Sequence, residues 1–412
     1  MGLLSLLSVI TYLDRVCIAV AGPRMQDQLH IGPAAWGWVT SAFLLSYGLF
    51  EIPTGAMGDR IGPRKVLTRI VLWWSAFTSL TGAVSNFYVL LLTRFCFGAG
   101  EAGAYPNASM VIARWIPAAR RGRAWGVVMM SSQLGGAISP LLVVPIQVRY
   151  GWRASFYCFG FLGLIWAAVW YAWFRDSPAE KPDVSQAERD EIGPVVPRGR
   201  HQVEWGVALR NGNLWKLMAL VACYCYPLYF FLAWFPSYLV KGRGYSEKEL
   251  WISALPFVVG ACGNGLGGVA SDRLVRKFGL KAGRRIAGAA ALGSAALFMA
   301  AAILATSPGA AVVFLSLVYG AITFQQTSVF AVCLDIGRRR AGTVTGLMNT
   351  AAQAGGWVST ISFGYLVERL GSYDLPLIPM VAFLAVGALL WLRFDPGRQL
   401  FAGQRAGTDV LT

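Results

Sequence analysis

Twelve stretches of about 20 mainly apolar residues run through this chain, and a helix needs about that length to cross the hydrocarbon core of a bilayer. They fall near 3–22, 34–57, 66–84, 87–113, 124–148, 153–174, 214–239, 251–271, 285–306, 309–335, 342–367 and 375–394, numbered below as spans 1 to 12. In lipid each segment must satisfy its own backbone hydrogen bonds, so stretches of this length fold as helices. The expected fold class is an all-α membrane protein. Charged residues make up only 14% of the chain, against roughly 25% in a soluble domain. An ordinary cytosolic enzyme, a disordered chain and a disulfide-rich secreted scaffold are excluded. Span 1 begins almost at Met1, but Asp14 and Arg15 interrupt the apolar core a signal peptide would need, and it is read as a retained span.

One long hydrophilic stretch, 175–213, divides the chain into six spans and six. The expected organisation is an N-terminal six-helix bundle (1–174), a cytoplasmic linker (175–213), a C-terminal six-helix bundle (214–394) and a cytoplasmic tail (395–412). Orientation follows from the basic residues. With the linker in the cytoplasm, 27 of the 36 Lys and Arg lie on that side and 7 on the other. Both termini are therefore expected inside. The net charge of +16 reads as a topology signal facing anionic lipid headgroups, and no nucleic-acid partner is expected. All seven cysteines sit inside apolar stretches and read as small hydrophobes. No cofactor motif or metal cluster is expected. Short tails and the lack of glycosylated outer loops point to a bacterial inner membrane.

A loop is repeated at matching places in the two halves. After span 2 the chain reads Gly55-Ala-Met-Gly58-Asp59-Arg60-Ile-Gly62-Pro63-Arg64-Lys65; after span 8 it reads Gly268-Val-Ala-Ser-Asp272-Arg273. A carboxylate at a helix end followed by arginines can make charged hydrogen bonds across an interface. The order predicts a cytoplasmic gating latch of Gly58, Asp59, Arg60, Arg64, Asp272 and Arg273, holding one bundle against the other and releasing during transport. These loops, with the six-plus-six division, resemble the major facilitator superfamily. The resemblance implies two bundles rocking around a central cavity, each carrier working as a monomer.

Three shorter runs narrow the likeness: Tyr12-Leu-Asp14-Arg15, the run from Arg94 to Glu101, and Tyr105-Pro106-Asn107. With the span 7 run from Tyr229 to Leu239, they resemble the anion:cation symporters. That family includes bacterial galactonate and hexuronate proton symporters and vesicular glutamate and sialic acid carriers.

The buried charges select a site independently. Asp14 and Arg15 lie past the middle of span 1, and Arg94 and Glu101 in span 4. Each charge at mid-bilayer costs about 2.5–3.5 kcal/mol, so the four must pair or line water. Arg94 and Glu101 are seven residues apart, on one helical face about 10 Å along the axis. Arginine keeps its proton, so a cavity arginine is a permanent anion site with a fork that fits a carboxylate. Arg15 is expected to clamp the substrate, Asp14 and Glu101 to carry coupling protons, and Arg94 to offset Glu101. The symporter resemblance implies the same roles. Two protons with a monocarboxylate would move one net charge, giving electrogenic uptake.

Tyr12, Tyr47, Gln133, Gln325, Gln326, Asn349 and Gln353 are expected to line the remaining cavity and suit a polyhydroxy acid. For Tyr12, Tyr47, Gln133 and Asn349 the resemblance implies substrate contact. Glu51, two turns from the latch, is a candidate for gating. The function expected is therefore a proton-coupled symporter, not an enzyme, importing a sugar acid or similar monocarboxylate. The alternative is a proton-driven drug or metabolite antiporter of the same fold. Span 5 reads Ser131-Ser132-Gln133-Leu134-Gly135-Gly136, a departure from the glycine-proline pattern usual in such exporters.

Overall fold

The computed structural model describes residues 1–117, 120–192, 211–337 and 341–398. Among them the chain is helical throughout, with no strand. Spans 1 to 3 are the helices Gly2–Gln28, Pro33–Ile61 and Pro63–Ala83. Span 4 is split into Phe87–Glu101 and Ala104–Trp115. Spans 5 and 6 are Arg121–Tyr150 and Trp152–Trp173. In the second half span 7 is Gly212–Ala233, continued after a break at Trp234 by a short turn and a wide helical turn over Tyr238–Gly242. Spans 8 and 9 form the element Leu255–Leu304, divided where Gly279 leaves helical geometry. Spans 10 to 12 are Pro308–Gly337, Ala341–Leu370 and Ile378–Arg393. Of the linker, the short helix Gln186–Ile192 is described and 193–210 lies outside the described residues.

Among the described residues, seven helical stretches are long and apolar enough to cross a membrane by themselves, and one of these, Glu247–Leu304, holds two spans. The four that fall short are spans 2, 3, 4 and 11, which carry the repeated loop, the buried charges of span 4 and the candidate amides of span 11. Large apolar side chains such as Leu92, Phe161, Leu297 and Leu304 are exposed on the outer surface. Such a surface is stable only against lipid.

The two halves repeat a detail of the chain. Gly62 joins spans 2 and 3 at φ +86°, and Gly279 joins spans 8 and 9 at φ +80°. Two residues after each glycine, the chain contacts an aspartate lying just past the last span of its own half. Asp176 accepts from the Arg64 backbone N–H at 2.9 Å, and Asp395 pairs with Lys281 at 2.7 Å. The halves meet along two seams, span 2 on span 11 and span 5 on span 8.

Candidate functional site

At the centre of the molecule span 1 brings Arg15 to the level of Glu101. The Arg15 Nε donates to Glu101 Oε1 at 2.6 Å, and Nη2 reaches the same oxygen at 2.5 Å. Glu101 is 1% exposed. The ion pair of Glu101 is thus with Arg15, and Arg94, two turns back along the same helix, makes no ion pair within 4 Å among the described residues. Asp14 is buried with no hydrogen bond to either oxygen; its polar neighbours are Glu101, Arg94 and Thr78.

The helix break in span 4 follows Glu101 directly. Gly103 holds φ +85°, a conformation that side-chain-bearing residues rarely adopt. A Cβ there would also stand 2.7 Å from Thr54. Asn107 reinforces the restart by donating to the Gly103 carbonyl at 2.8 Å.

Aromatic rings hold both arginines. The Arg15 guanidinium lies 4.8 Å from the Tyr47 ring centre, 5.1 Å from Phe43 and 5.7 Å from Tyr12. Arg94 lies 4.3 Å from Phe97 and 5.4 Å from Phe43, so Phe43 serves both. Such contacts contribute about 2 kcal/mol or more when desolvated. Both arginines open onto one cavity of about 30 Å³, room for a few water molecules. Its walls come from both halves: Thr40, Phe43 and Leu44 of span 2, Tyr229 and Leu232 of span 7, and Thr360 of span 11.

The other polar candidates divide by where they point. Tyr12 and Tyr47 face Arg15. Gln133 accepts from the Tyr319 hydroxyl at 3.2 Å and Asn349 donates to Glu51 at 3.5 Å, both across the two halves. Gln353 accepts from Tyr229 at 3.0 Å. Gln325 is fully buried and accepts from the indole N–H of Trp391 at 3.1 Å, on the seam between spans 10 and 12 rather than toward the cavity. Gln326, one residue on, is half-buried.

The halves are joined at the end of the bundle away from the termini. Asp27 pairs with Lys241 at 2.7 Å and Arg24 with Glu247 at 2.6 Å. Gln26 donates to Ser237 at 3.1 Å, and Glu368 accepts from the Ala34 backbone N–H at 3.0 Å. Trp38 donates to Tyr365 at 3.2 Å. These residues read in the sequence as ordinary loop and helix-end polar groups, because partners more than 200 residues apart leave no mark in one sequence.

At the termini end, the repeated loops make contacts inside their own halves. Gly58 packs against Asn107 and Met110 of span 4. Arg64 stacks on Tyr171 and donates to its carbonyl through Nη2 at 2.5 Å. Asp272 meets Arg284 at 3.4 Å, while Arg60 and Arg273 are exposed. The side chain of Asp59 lies outside the described residues. Asp335 pairs with Arg284 at 3.8 Å; the arginines 338–340 expected beside it also lie outside. In this conformation the described latch residues do not bridge the two bundles.

A model of the Major Facilitator Superfamily matches residues 4–360. The chain belongs to this family. It is 36% identical over 400 residues to the "Probable sulfoacetate transporter SauU" of Cupriavidus necator, covering 96% of this chain and 93% of that one. It is 28% identical to the "Hexuronate transporter" of Bacillus subtilis, covering 99% and 96%. In three dimensions it is similar to a bacterial homolog of the human lysosomal transporter Spinster, in an inward-facing, unoccupied conformation. There the TM-score is 0.78 at 20% identity, with 98% of each chain covered. The major facilitator fold, two bundles of six helices, is thereby established, and the chain is a multi-pass membrane transporter rather than an enzyme.

Proposed function

We propose that this major facilitator is a proton-coupled symporter that imports a small organic anion by alternating access. The observation that carries the reading is the Arg15–Glu101 ion pair beside a cavity shared by both halves. Arginine holds its charge at all relevant pH, so Arg15 can be neutralised by Glu101 or by an incoming acid. A proton on Glu101 releases Arg15 for the cargo, and proton and anion then load together. Asp14, buried within the field of Arg94, is the second proton carrier. The loops at Gly58 to Arg64 and Asp272 to Arg273 act as the gate that closes when the distal pairs part. The protein works as a monomer in a bacterial cell membrane, termini and linker cytoplasmic.

Two cargo classes have support. The runs around Asp14, Arg94 and Tyr229 favour a sugar acid or similar monocarboxylate, and the hexuronate relative agrees. The 36% relative favours a shorter acid. Reconstitution tests the shared reading. Labelled hexuronate or sulfoacetate should accumulate in proteoliposomes faster when the outside is acid, and a protonophore should abolish the difference. Equal uptake with and without the gradient would remove proton coupling.

A further inference from the structure

Asp14 and Arg15 are neighbours in span 1, but of the two only Arg15 is among the walls of the cavity. Successive helical residues point about 100° apart, and Asp14 turns into the first bundle. It is buried there, and neither of its oxygens makes a hydrogen bond. Span 3 brings the Thr78 hydroxyl to face it, itself buried and without a hydrogen-bond partner. One turn nearer the termini end of the same helix, the Ser75 hydroxyl and the Trp74 indole N–H are also buried and unpartnered. Those two meet at Gly163 of span 6, where a Cβ would collide with the Ser75 Oγ and stand 3.6 Å from the Trp74 Nε1. Nearly all buried polar groups in folded proteins have a partner, so a carboxyl and three polar groups left open in one region need an explanation. We infer that Asp14 exchanges its proton through the Thr78 hydroxyl, along this polar row between spans 3 and 6, and not through the cargo cavity.

This deepens the proton-coupled reading and rests on Asp14 as a proton carrier. A hydroxyl both donates and accepts. Thr78 donates to Asp14 while the acid is charged and accepts the Asp14 O–H once it is protonated. In the relay, the Thr78 Oγ1 takes the Asp14 proton on a lone pair as its own proton passes to the Ser75 Oγ, directly or through one water. Ser75 gives up a proton in the same way, so each hydroxyl ends as it began and one proton reaches the medium. Ser75 and Thr78 are three residues apart and share a helical face. The Trp74 N–H is a donor only and can hold an oxygen in the row but pass nothing on.

The charged and titratable groups that face Asp14 are Glu101 and Arg94 of span 4 and, on its own helix, Cys17. Arg94 keeps its proton. Glu101 pairs with Arg15 on the cavity wall, so its proton is exchanged against cargo. The two acids therefore load and unload by different routes, and cargo seated on Arg15 leaves the Asp14 route open. At the termini end, where this route leads, the described latch residues leave the bundles unbridged.

The test separates proton exchange from movement of the loaded carrier. Counterflow of labelled sulfoacetate or hexuronate at equal pH needs no net proton transfer, whereas gradient-driven uptake does. Thr78→Val, which keeps the shape and removes the hydroxyl, should slow gradient-driven uptake about tenfold or more and leave counterflow near the wild-type rate. Thr78→Ser should restore most of the lost uptake. Should Thr78→Val fail to fold, the smaller Thr78→Ala carries the same expectation. Gradient-driven uptake at the wild-type rate in either variant overturns the inference and leaves proton symport standing. An equal loss of counterflow and uptake that Thr78→Ser does not repair makes Thr78 a packing residue and overturns it too. If wild-type uptake of both acids ignores the gradient, the symport reading falls first and takes this inference with it.

Discussion

Replacing Glu101 by Gln separates the two jobs assigned to Arg15. In the wild type, Arg15 donates through Nε to one oxygen of Glu101 at 2.6 Å, and its Nη2 lies 2.5 Å from the same oxygen as the rest of the ion pair. A hydrogen bond to a charged group contributes about 1.5–3 kcal/mol, and an anion must displace this one to reach Arg15. Since about 1.4 kcal/mol is a factor of ten, Glu101→Gln should bind the cargo roughly tenfold to a hundredfold more tightly at alkaline pH. That gain should shrink as the pH falls and Glu101 takes up its proton in the wild type. The variant should still exchange labelled for unlabelled acid across a vesicle wall, but an inward proton gradient should drive far less accumulation, because Asp14 is the one proton carrier left. Calorimetric titration across pH, paired with counterflow and gradient-driven uptake, reads all three. Its melting temperature should also fall, because one half of a buried pair has lost its charge. Unimpaired gradient-driven accumulation by Glu101→Gln would refute the reasoning.

Three further outcomes follow from the geometry. Asp27→Asn with Glu247→Gln removes both distal ion pairs; exposed pairs contribute up to about 1 kcal/mol each. Spin-label distances across that end should shift toward a wider population. Gln325→Leu should lower stability by about 1 kcal/mol, the usual net value of a hydrogen bond, with transport KM unchanged; a large rise in KM would put Gln325 back in the substrate site. The hydrogen bond from Lys281, helped by the Gly397 N–H, holds the Asp395 carboxyl below the usual carboxylate range. A depressed value stabilises the fold above the unfolded carboxylate's value of about 4 and is lost as the pH falls through the folded one. The melting-temperature gap between wild type and Asp395→Asn should accordingly be small at neutral pH and vanish in acid.

Much of the architecture was legible because bilayer thickness imposes a length on each segment and intramembrane charge imposes pairing. The six-plus-six division, the matched loops and the cluster of Asp14, Arg15, Arg94 and Glu101 all follow from those constraints. Geometry within the cluster did not. Residues seven apart share a face, which places Arg94 where its charge offsets Glu101, but only tertiary packing sets span 1 at the height where Arg15 pairs with it. Gly103, three residues before Pro106, is a readable hint that span 4 breaks there. Gln325 and Gln326 differ by a 100° turn, and no periodicity in an apolar helix says which faces Trp391. The cavity residues Thr40, Phe43 and Thr360 carry no signature, since Thr and Phe are ordinary in membrane helices. Tyr229 stood within a run singled out in span 7, without a role.

The most direct measurement is the proton itself. When an organic acid such as hexuronate or sulfoacetate is added to purified protein in weakly buffered solution near neutral pH, binding should draw protons from the medium, and a pH dye should record a rise. The rise should be lost in the Asp14→Asn, Glu101→Gln double variant while the acid still binds. Saturable binding to the wild type with no proton movement at any pH between about 5 and 8 would contradict the account.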